Sequence, residues 1–428
     1  MDKISTFTPV VGIEIHVELA TKSKMFCGCK NDPFFAPEPN IYTCPVCLGM
    51  PGALPVANKK AIEWTIKIGL ALGCKINLFS KFDRKHYFYP DLPKGYQISQ
   101  YDQPLCYEGS VDTEFGPVRI TRVHLEEDTG KLLHQNNESL IDFNRSGVPL
   151  VEIVSEPDIH SPEAAKAYTK KIAEIIKALE VSSADMEKGS MRLEANISVT
   201  FDKSLPPYKV EVKNLNSFRY IERAIAFETV RQSEIRRKGE LPRQETRGWN
   251  ESKGETFAQR SKESAEDYRY FPDPDLPPLH FTKEFVEGIM SALPRLPQET
   301  VAHLQELGLK ESDAKIIAKN PKLVAVMEEL GGSAARVANL VVNGKITGDT
   351  KEILLEQMAA LESTVQMDDS KLSQVIATVL SENPKAVSDY KAGKQQVLGF
   401  IIGMVFKKAG RVDRERVQES IQKELHGQ

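Results

Sequence analysis

The 428-residue sequence has no long hydrophobic run, no secretion signal and neither of the two common glycine-rich phosphate loops. Its longest uncharged apolar stretch, residues 397–406, is too short to cross a bilayer, and residues 1–6 lack the basic and apolar regions of a signal peptide. These absences argue against a membrane protein and lead us to expect a cytoplasmic one. Because the chain has no G-x-x-x-x-G-K-[ST] loop and no dinucleotide fingerprint, any nucleotide would need a pocket of another kind.

The sequence also has little excess of charge. Lysine and arginine number 56 against 60 aspartates and glutamates, which gives a formal net charge of -4. This balance argues against a general polyanion binder, so any contact with nucleic acid would come from local basic patches. With 41% hydrophobic and 27% charged residues, the composition is that of an ordinary globular protein of two or three domains.

The most informative segment present is residues 142–152, Asp-Phe-Asn-Arg-Ser-Gly-Val-Pro-Leu-Val-Glu. Residues 144–147 are typical of a turn that projects the guanidinium fork of Arg145, and the strand that follows carries Glu152 among aliphatic residues. A carboxylate in an apolar strand needs a counter-charge or a metal. The alternative interpretation is a solvated strand face on which Glu152 pairs with a surface lysine.

Two other segments show the same unusual placement of acidic residues. In residues 10–19 the strand period of two puts Glu14, His16 and Glu18 on one face and aliphatic residues on the other. Residues 120–128 alternate in the same way and end in three successive carboxylates, which are unfavourable without a nearby cation. Each segment alone could equally be a solvated face. Their joint occurrence predicts a magnesium or manganese site built from Glu14, His16, Glu127 and Glu152.

Four of the six cysteines form two closely spaced pairs, Cys27-Gly28-Cys29 and Cys44-Pro45-Val46-Cys47. In a cytosolic protein such pairs predict a tetrahedral zinc site with four thiolate ligands, against the alternatives of a redox pair or of coincidentally buried thiols. Four thiolates leave no open position for a substrate, so zinc would fold this loop and not take part in catalysis. Cys74 and Cys106 are most simply small core residues.

The pattern of elements predicts an α+β fold. Short strands and turns dominate up to about residue 290, with helices at residues 164–179, after the cap Ser161-Pro162-Glu163, and at residues 220–238. A proline cluster then leads into helical spacing. We therefore predict a mixed α/β domain over residues 1–292 with a zinc-binding loop at 27–47, a helical linker domain over 293–368 and a helical tail domain over 369–428. The tail carries a basic cluster of Lys391, Lys394, Lys407, Lys408, Arg411, Arg414 and Arg416, which a solvated helix surface would also explain.

Five segments, in this order along the chain, resemble the B subunit of the tRNA-dependent aspartyl/glutamyl amidotransferase. They are Val-Gly-Ile-Glu-Ile-His-Val-Glu-Leu at 11–19, the run Phe-Asp-Arg-Lys-His-Tyr-Phe-Tyr-Pro-Asp-Leu-Pro-Lys-Gly-Tyr-Gln-Ile-Ser-Gln at 82–100, the segment 142–152, Val-Lys-Asn-Leu-Asn-Ser-Phe at 212–218, and Asp-Tyr-Arg-Tyr-Phe-Pro-Asp-Pro-Asp at 267–275. The tail is similar to that of the same family.

This resemblance implies a cradle-like catalytic domain that phosphorylates a carboxylate with ATP. The substrate would be glutamate or aspartate mischarged on tRNA, as Glu-tRNA(Gln), Asp-tRNA(Asn) or both, and amidation would follow with ammonia from glutamine. The implied enzyme is a ligase forming carbon–nitrogen bonds. Its implied partners are an amidase A subunit and a small C subunit in a heterotrimer, with the tail on the tRNA. By motif, Glu14, His16, Glu127 and Glu152 would hold magnesium and Lys85 would lie near the phosphates.

The residue types agree with this chemistry. An acceptor carboxylate is already ionised at neutral pH, so its phosphorylation requires positioning and charge neutralisation and no strong base. Magnesium, helped by Lys85 or Arg145, would supply both.

The sequence also departs from the family's usual pattern. The stretch between the first helical region and the tail is shorter than usual, by something like one small helical subdomain, and Glu194 stands where aspartate is common. Asn196, Lys213 and Asn214 are candidates for the wall of the site or for structural roles. Two alternative functions remain, a zinc-stabilised tRNA-binding scaffold without catalysis and a free-standing ligase acting on a small amino acid.

Overall fold

A computed structural model describes residues 7–202, 204–261, 268–362, 367–410 and 412–426. Of the residues discussed above, residues 1–6, Asp267 and Arg411 lie outside these ranges. The chain divides into two compact units, Met1–Leu296 and Pro297–Gln428. The first combines strands and helices and the second is helical, so the α+β class expected from the sequence is confirmed.

The strands of the first unit are, in chain order, β1 (Thr8–Glu18), β2 (Lys75–Ile76), β3 (Phe79–Ser80), β4 (Asp83–His86), β5 (Tyr96–Ser99), β6 (Cys106–Thr113), β7 (Gly116–Glu127), β8 (Lys131–Gln135), β9 (Glu138–Asp142), β10 (Pro149–Ser155), β11 (Met191–Thr200), β12 (Val210–Lys213), β13 (Glu245–Asn250), β14 (Glu255–Ser261), β15 (Phe271–Pro272) and β16 (Leu279–His280). Its helices are α1 (Lys59–Ala71), α2 (Pro162–Ala178), α3 (Phe218–Arg237) and α4 (Lys283–Ser291).

Nine strands form one large sheet in the order β14-β13-β12-β11-β1-β10-β7-β6-β2. Neighbouring strands are antiparallel except for the parallel pair β12 and β13. The amino-terminal strand β1 lies in the middle of this sheet, between β10 and β11. Segments that are more than a hundred residues apart in sequence are therefore direct neighbours at the centre of the sheet.

The two faces of the central strands differ sharply in character. On β1, Ile13, Ile15 and Val17 are completely buried and belong to the main hydrophobic core, which also contains Ile66 of α1 and Tyr168 of α2. Helices α1, α2 and α3 contact this side of the sheet. Each fully buried aliphatic side chain contributes roughly 1.5–3 kcal/mol, so this face fixes the register of the strands. The opposite face carries Glu14 and His16, as the strand period predicts.

The long helices of this unit begin at the caps that their sequences supply. The Ser161 side chain accepts a hydrogen bond from the Ala164 amide, and Pro162 occupies the first turn of α2, as predicted. Ser217 caps α3 in the same way through Tyr220, and the Asn58 side chain caps α1. These caps fix the residue at which each of the three helices begins.

The second unit contains α5 (Pro297–Glu306), α6 (Glu311–Ile317), α7 (Pro321–Leu330), a 3₁₀ turn at Gly331–Ser333, α8 (Ala334–Val342), α9 (Lys351–Glu362), α10 (Asp369–Glu382), α11 (Pro384–Lys391), α12 (Val397–Ala409) and α13 (Arg414–His426). It holds two separate apolar clusters, one between Leu304 and Leu354 and one between Leu372 and Leu425. In the described ranges, no helix has the length and apolar character that membrane crossing requires.

Candidate active site

The polar face of the central strands brings the candidate residues together. Glu152 of β10 pairs with His16 of β1 on one side and with His124 of β7 on the other, and Glu14 pairs with Glu194 of β11. Paired residues on adjacent antiparallel strands point to the same face of a sheet. The register of the sheet therefore sets these side chains side by side.

Three of these side chains form a compact group, the carboxylate cluster His16, Glu126 and Glu152, whose ligand atoms lie within 4.8 Å of one another. His16 Nε2 is 3.7 Å from Glu126 Oε1 and 3.7 Å from Glu152 Oε2. His124 Nε2 lies 3.1 Å from Glu152 Oε2, and Ser99 Oγ donates to Glu126 Oε2 over 3.3 Å. Two buried carboxylates and an imidazole thus converge on one point.

The two carboxylates of this cluster have opposite pKa shifts. Burial and then the negative charge of Glu152 raise the pKa of Glu126. Burial opposes ionisation of Glu152 as well, but the charge of His124 and its hydrogen bond hold the pKa of Glu152 well below its usual range. The pair therefore favours a proton or another cation between its members. Carboxylate oxygens with one imidazole nitrogen suit magnesium or manganese, so the residues present fit a hard divalent cation.

Glu14 belongs to a second acidic group next to the first. Carboxylate oxygens of Glu14, Glu194 and Glu211 lie within 4.8 Å of one another. Lys213 Nζ is 2.8 Å from Glu194 Oε2 and 3.8 Å from Glu211 Oε1, and Asn196 Nδ2 donates to Glu14 Oε1 over 2.8 Å. Burial and then the charges of Glu152 and Glu194 raise the pKa of Glu14. Unlike the carboxylate cluster, this second acidic group includes a lysine ammonium, that of Lys213, which pairs directly with two of its carboxylates.

Glu127, which the sequence predicts as a metal ligand, has different neighbours. Lys94 Nζ donates to Glu127 Oε2 over 2.6 Å, and the Ile98 amide donates to Glu127 Oε1 over 2.9 Å. The strand period explains this, because Glu126 shares the face of His124 on β7 whereas Glu127 follows on the opposite side. On geometry we therefore replace Glu127 by Glu126 in the predicted ligand set.

A cavity of about 1010 Å³ opens beside Lys85. Lys85 Nζ lies 4.9 Å from the centre of the Tyr268 ring. Although burial favours the neutral amine, Tyr270 and then Glu126 and Glu152 raise the pKa of Lys85 above its ordinary value, so the ammonium stays charged beside the carboxylate cluster. The cavity wall combines cations, aromatic rings and polar groups: Lys85, His86, Tyr87, Phe88, Tyr89, Asp91, Thr129, Lys213, Tyr268, Arg269 and Phe271.

Arg145, which the sequence predicts as a phosphate contact, binds backbone oxygens of a neighbouring turn. Its Nε donates to Thr129 O over 3.0 Å and its Nη2 donates to Gly130 O over 2.7 Å. Asp128 Oδ2 lies 3.7 Å from Arg145 Nε. Because Thr129 lines the cavity, Arg145 holds the backbone of a residue in the cavity wall.

The four paired cysteines come together as predicted, and their sulfur atoms lie within 4.8 Å of one another. We refer to Cys27, Cys29, Cys44 and Cys47 as the thiol cluster. A hydrogen bond from Cys27 and the charge of Lys24 lower the pKa of Cys47 to about 5, against the effect of burial. A four-sulfur group with one thiolate already favoured fits a tetrahedral zinc ion. Cys74 and Cys106 are buried in the main core.

Sequence reasoning missed several residues of this polar face. Glu126 and His124 were overlooked as members of the site, although the alternation in residues 122–126 places them two residues apart on one face. It also missed a second buried pair, in which Arg192 Nη2 donates to Asp128 Oδ2 over 2.5 Å. Glu18, next to this pair, is buried among charges, and burial and then Asp128 raise the pKa of Glu18 to about 9.

Comparison with known families gives two matches that together span most of the chain. A family model described as the GatB/GatE catalytic domain matches residues 9–287. A second, described as the GatB domain, matches residues 298–425. The boundary between the two matches falls close to the boundary between the two structural units.

Curated relatives match along nearly the whole length. The B subunit of the aspartyl/glutamyl-tRNA(Asn/Gln) amidotransferase of Thermomicrobium roseum is 44% identical to this chain, over 97% of the chain and 99% of the relative. The protein of the same name from Thermotoga maritima is 41% identical, over 99% of the chain and 100% of the relative. These alignments extend over 478 and 481 residues, more than the 428 of this chain, so the relatives contain residues that the chain lacks. The predicted shortening is therefore confirmed in length, and its position along the chain stays a prediction.

Proposed function

Since the chain belongs to the GatB/GatE family and is an amidotransferase subunit, we propose that it performs the ATP-dependent activation of a tRNA-bound carboxylate. The relatives are named for aspartyl/glutamyl-tRNA(Asn/Gln) amidotransferase, and a ligase role in general follows from that relationship. The finer proposal is a carbon–nitrogen ligase that converts Glu-tRNA(Gln), Asp-tRNA(Asn) or both to the amide, with glutamine as the amide donor.

One observation carries this proposal, the carboxylate cluster beside the cationic cavity. His16, Glu126 and Glu152 are set on three adjacent strands. Lys85 lines a cavity large enough for a nucleotide and feels the charges of Glu126 and Glu152. A scaffold that only binds RNA would gain nothing from burying two carboxylates against each other, because their repulsion and desolvation both cost free energy. A site that neutralises an anion needs such a cation-binding group.

In the proposed first step an oxygen of the substrate carboxylate attacks the γ-phosphorus of ATP, and the bond to ADP breaks. The acceptor is already ionised, so the protein has to position two anions and reduce their repulsion. In this proposal Lys85, which lines the cavity, neutralises phosphate oxygens. Magnesium, when bound by His16, Glu126 and Glu152, would add charge neutralisation between acceptor and phosphate. Arg145 acts indirectly, by holding the turn that contains Thr129.

In the proposed second step ammonia attacks the activated carbonyl carbon, phosphate leaves and a proton is lost. Within the described ranges the chain shows no constellation for making ammonia from glutamine, so a partner subunit would supply it. We propose an amidase A subunit and a small C subunit in a heterotrimer. Because the amidation of tRNA-bound amino acids serves translation, we expect this heterotrimer to work in the cytoplasm.

The remaining assignments extend this proposal to zinc and tRNA. Zinc would be structural, because the thiol cluster already offers four ligands and lies on a loop apart from the cavity lining. We also propose that the tail, residues 369–428, contacts the tRNA through its basic residues. Lys408 and Arg416 in this tail pair with Glu382 and Asp369. Lys391 of α11 and Lys407 of α12 are both exposed.

The test is ATP consumption by the purified heterotrimer with magnesium, with and without mischarged Glu-tRNA(Gln). We expect hydrolysis that depends on the charged tRNA and that falls by about 10²- to 10³-fold in Glu152→Gln, since the variant loses one of the carboxylates proposed to hold magnesium. Glu138→Gln is the matched control, because Glu138 is exposed on β9. Hydrolysis absent in wild type, with charged tRNA still bound, would instead support the scaffold function.

A further inference from the structure

Lys24 has an unusual position for a lysine, because it is completely buried. Its ammonium donates to Tyr42 O over 2.6 Å and to Phe143 O over 3.1 Å, and it lies 3.9 Å from Cys47 Sγ. Lysine is almost never fully buried unless it is paired. The three neighbours come from two different segments, the loop that carries the thiol cluster and the turn at residues 142–148.

These two segments are joined by further hydrogen bonds around Lys24. Ser146 Oγ donates to Cys47 O over 3.2 Å, and the Met25 amide donates to Gly147 O over 2.7 Å. The Asn144 side chain accepts from the Tyr42 amide over 2.8 Å and donates to Glu38 O over 2.8 Å. The thiol-cluster loop and the turn therefore form one hydrogen-bonded body.

Gly147 allows this close approach. Its φ of +80° is left-handed, and a Cβ at this position would lie 3.5 Å from Cys47 Cβ and 3.7 Å from Lys24 Cδ. These are ordinary van der Waals contacts, so the left-handed backbone conformation is what disfavours a side chain at this position.

The same turn is also bonded to the proposed catalytic face. The Gly147 amide donates to Asp128 O over 2.9 Å, and the Asp128 amide donates to Val148 O over 2.8 Å. Arg145 binds the carbonyl oxygens of Thr129 and Gly130. Asp128 directly follows the strand that ends with the two adjacent glutamates, and Thr129 lines the cavity.

Charge explains why a cation belongs at this junction. Zinc with four thiolates bears a net negative charge, and the cost of burying an ammonium falls when an anion lies beside it. Removing the cluster's charge would leave Lys24 with two carbonyl oxygens only. The free energy of zinc binding is then linked to the position of the turn through this one side chain.

We propose that Lys24 is a positioning residue that couples the zinc-loaded thiol cluster to the turn at residues 142–148, and through this turn to the cavity wall. The effect on turnover rests on the proposed function, whereas the effect on zinc affinity does not. Zinc in this protein then does more than fold a loop, because its occupancy sets how rigidly the wall at Thr129 is held.

The first test measures zinc affinity of the full chain by competition with a chromogenic chelator. Lys24→Met keeps the length of the side chain and removes its charge, and we expect zinc affinity to fall by about 10- to 100-fold. Lys22→Met is the matched control, because Lys22 is exposed two residues earlier on the same loop. Wild-type zinc affinity in Lys24→Met would overturn the proposal.

The second test separates coupling from zinc binding. Ser146→Ala removes the hydrogen bond to Cys47 O and leaves all four thiols and Lys24 in place. In the heterotrimer we expect a kcat several-fold lower with the KM for ATP unchanged, while zinc affinity stays within about twofold of wild type. Ser139→Ala, on an exposed hairpin, is the control. An unchanged kcat in Ser146→Ala would contradict the coupling.

A third measurement needs no variant and no activity. Zinc is removed from the wild-type chain with a chelator, and hydrogen exchange is followed in residues 142–148. We expect the amides of residues 144–148 to lose protection at least tenfold on zinc removal and to regain it when zinc is restored. Protection that does not change would overturn the proposal even if Lys24→Met fails to fold. The hydrogen-exchange measurement uses neither ATP nor tRNA. It therefore tests the coupling through Lys24 even if the proposed function is wrong.

Discussion

The thiol cluster and the carboxylate cluster both gather ligand atoms within 4.8 Å, yet they are assembled in opposite ways. The thiol cluster comes from one loop, between Cys27 and Cys47. The carboxylate cluster comes from three strands, which carry His16, Glu126 and Glu152. More than a hundred residues separate His16 from Glu126 in the sequence. The first depends on local chain geometry, and the second depends on the register of a large sheet.

The two clusters also differ in the chemistry they can support. Four sulfur ligands complete a tetrahedral zinc shell and leave nothing open to a substrate. Two carboxylates and an imidazole do not fill the coordination shell of a hard cation, so positions stay open for a substrate. Lys85 and the cavity lie beside this cluster. A closed cluster of this kind stabilises structure, whereas an open one is available for chemistry. In the proposed coupling, Lys24 and the turn at 142–148 link the two.

The largest expected effect tests the composition of the open cluster. Glu126→Gln removes a charged oxygen from the group and should lower charged-tRNA-dependent ATP hydrolysis by about 10²- to 10³-fold. Glu127→Gln, at the next residue, should cost less than about tenfold, because Glu127 contacts Lys94 and the Ile98 amide instead. Steady-state kinetics of Glu126→Gln and Glu127→Gln, measured side by side, test which of the two glutamates belongs to the cluster. A larger loss in Glu127→Gln would restore the ligand set predicted from sequence.

Breaking the closed cluster should give an intermediate effect. Cys44→Ser removes one zinc ligand, so we expect the chain to lose stoichiometric zinc, to melt several degrees lower and to keep roughly a tenth of its ATP turnover. Zinc content by atomic absorption, thermal unfolding and kinetics provide the three readouts. Thr43→Ser, which leaves every thiol intact, is the control. Complete loss of turnover in a folded Cys44→Ser protein would mean that zinc takes part in catalysis more directly than a structural ion would.

A pH effect on the free energy of unfolding should arise from Glu18 on the acidic face. The pKa of Glu18 is raised to about 9 in the folded state, so folding favours the protonated form. Its contribution to stability is present below the unfolded value near 4.5 and is lost as pH rises toward 9, at up to about 1.4 kcal/mol per pH unit. Glu18→Gln should lose less stability than wild type between pH 6 and 8.5 in urea unfolding. Parallel curves for the two proteins would refute this assignment.

The smallest effect concerns the second acidic group. Lys213→Met removes the internal ammonium beside Glu194 and Glu211, which should destabilise the chain by about 1–2 kcal/mol after allowance for its partial exposure. Added magnesium or manganese should recover part of this loss, because the three carboxylates could then accept a divalent cation. Lys177→Met provides the lysine control, because Lys177 is exposed on α2. Recovery by sodium at equal ionic strength would indicate screening alone.

Local signals in the sequence were read correctly. The Ser161-Pro162-Glu163 cap predicted the start of α2, the cysteine spacing predicted the thiol cluster, and the alternation around Glu14 and His16 predicted a two-faced strand. Each of these depends on residues within about twenty positions of one another, where chain connectivity alone limits the geometry. The resemblance to the family was confirmed by relatives that match along nearly the full length.

The long-range part could not be derived in the same way. A run of three carboxylates offers Glu126 and Glu127 equally until the face of β7 is known, and that face is fixed by the pairing of His124 with Glu152. The packing of Val123 and Leu125 in the core sets this register. The same holds for Arg145, whose fork could reach a phosphate in a free turn but here binds the carbonyl oxygens of Thr129 and Gly130.

The fold class, the family, the thiol loop and the polar character of the central strands could be read from the order of the residues, because periodicity and short spacings are local. The folded chain was needed to show which carboxylates meet, which cation neutralises which acid, and that the completely buried Lys24 joins the thiol loop to the turn at 142–148. The physical reason is that burial of the apolar face selects one strand register, and the chemistry on the opposite face follows from that selection.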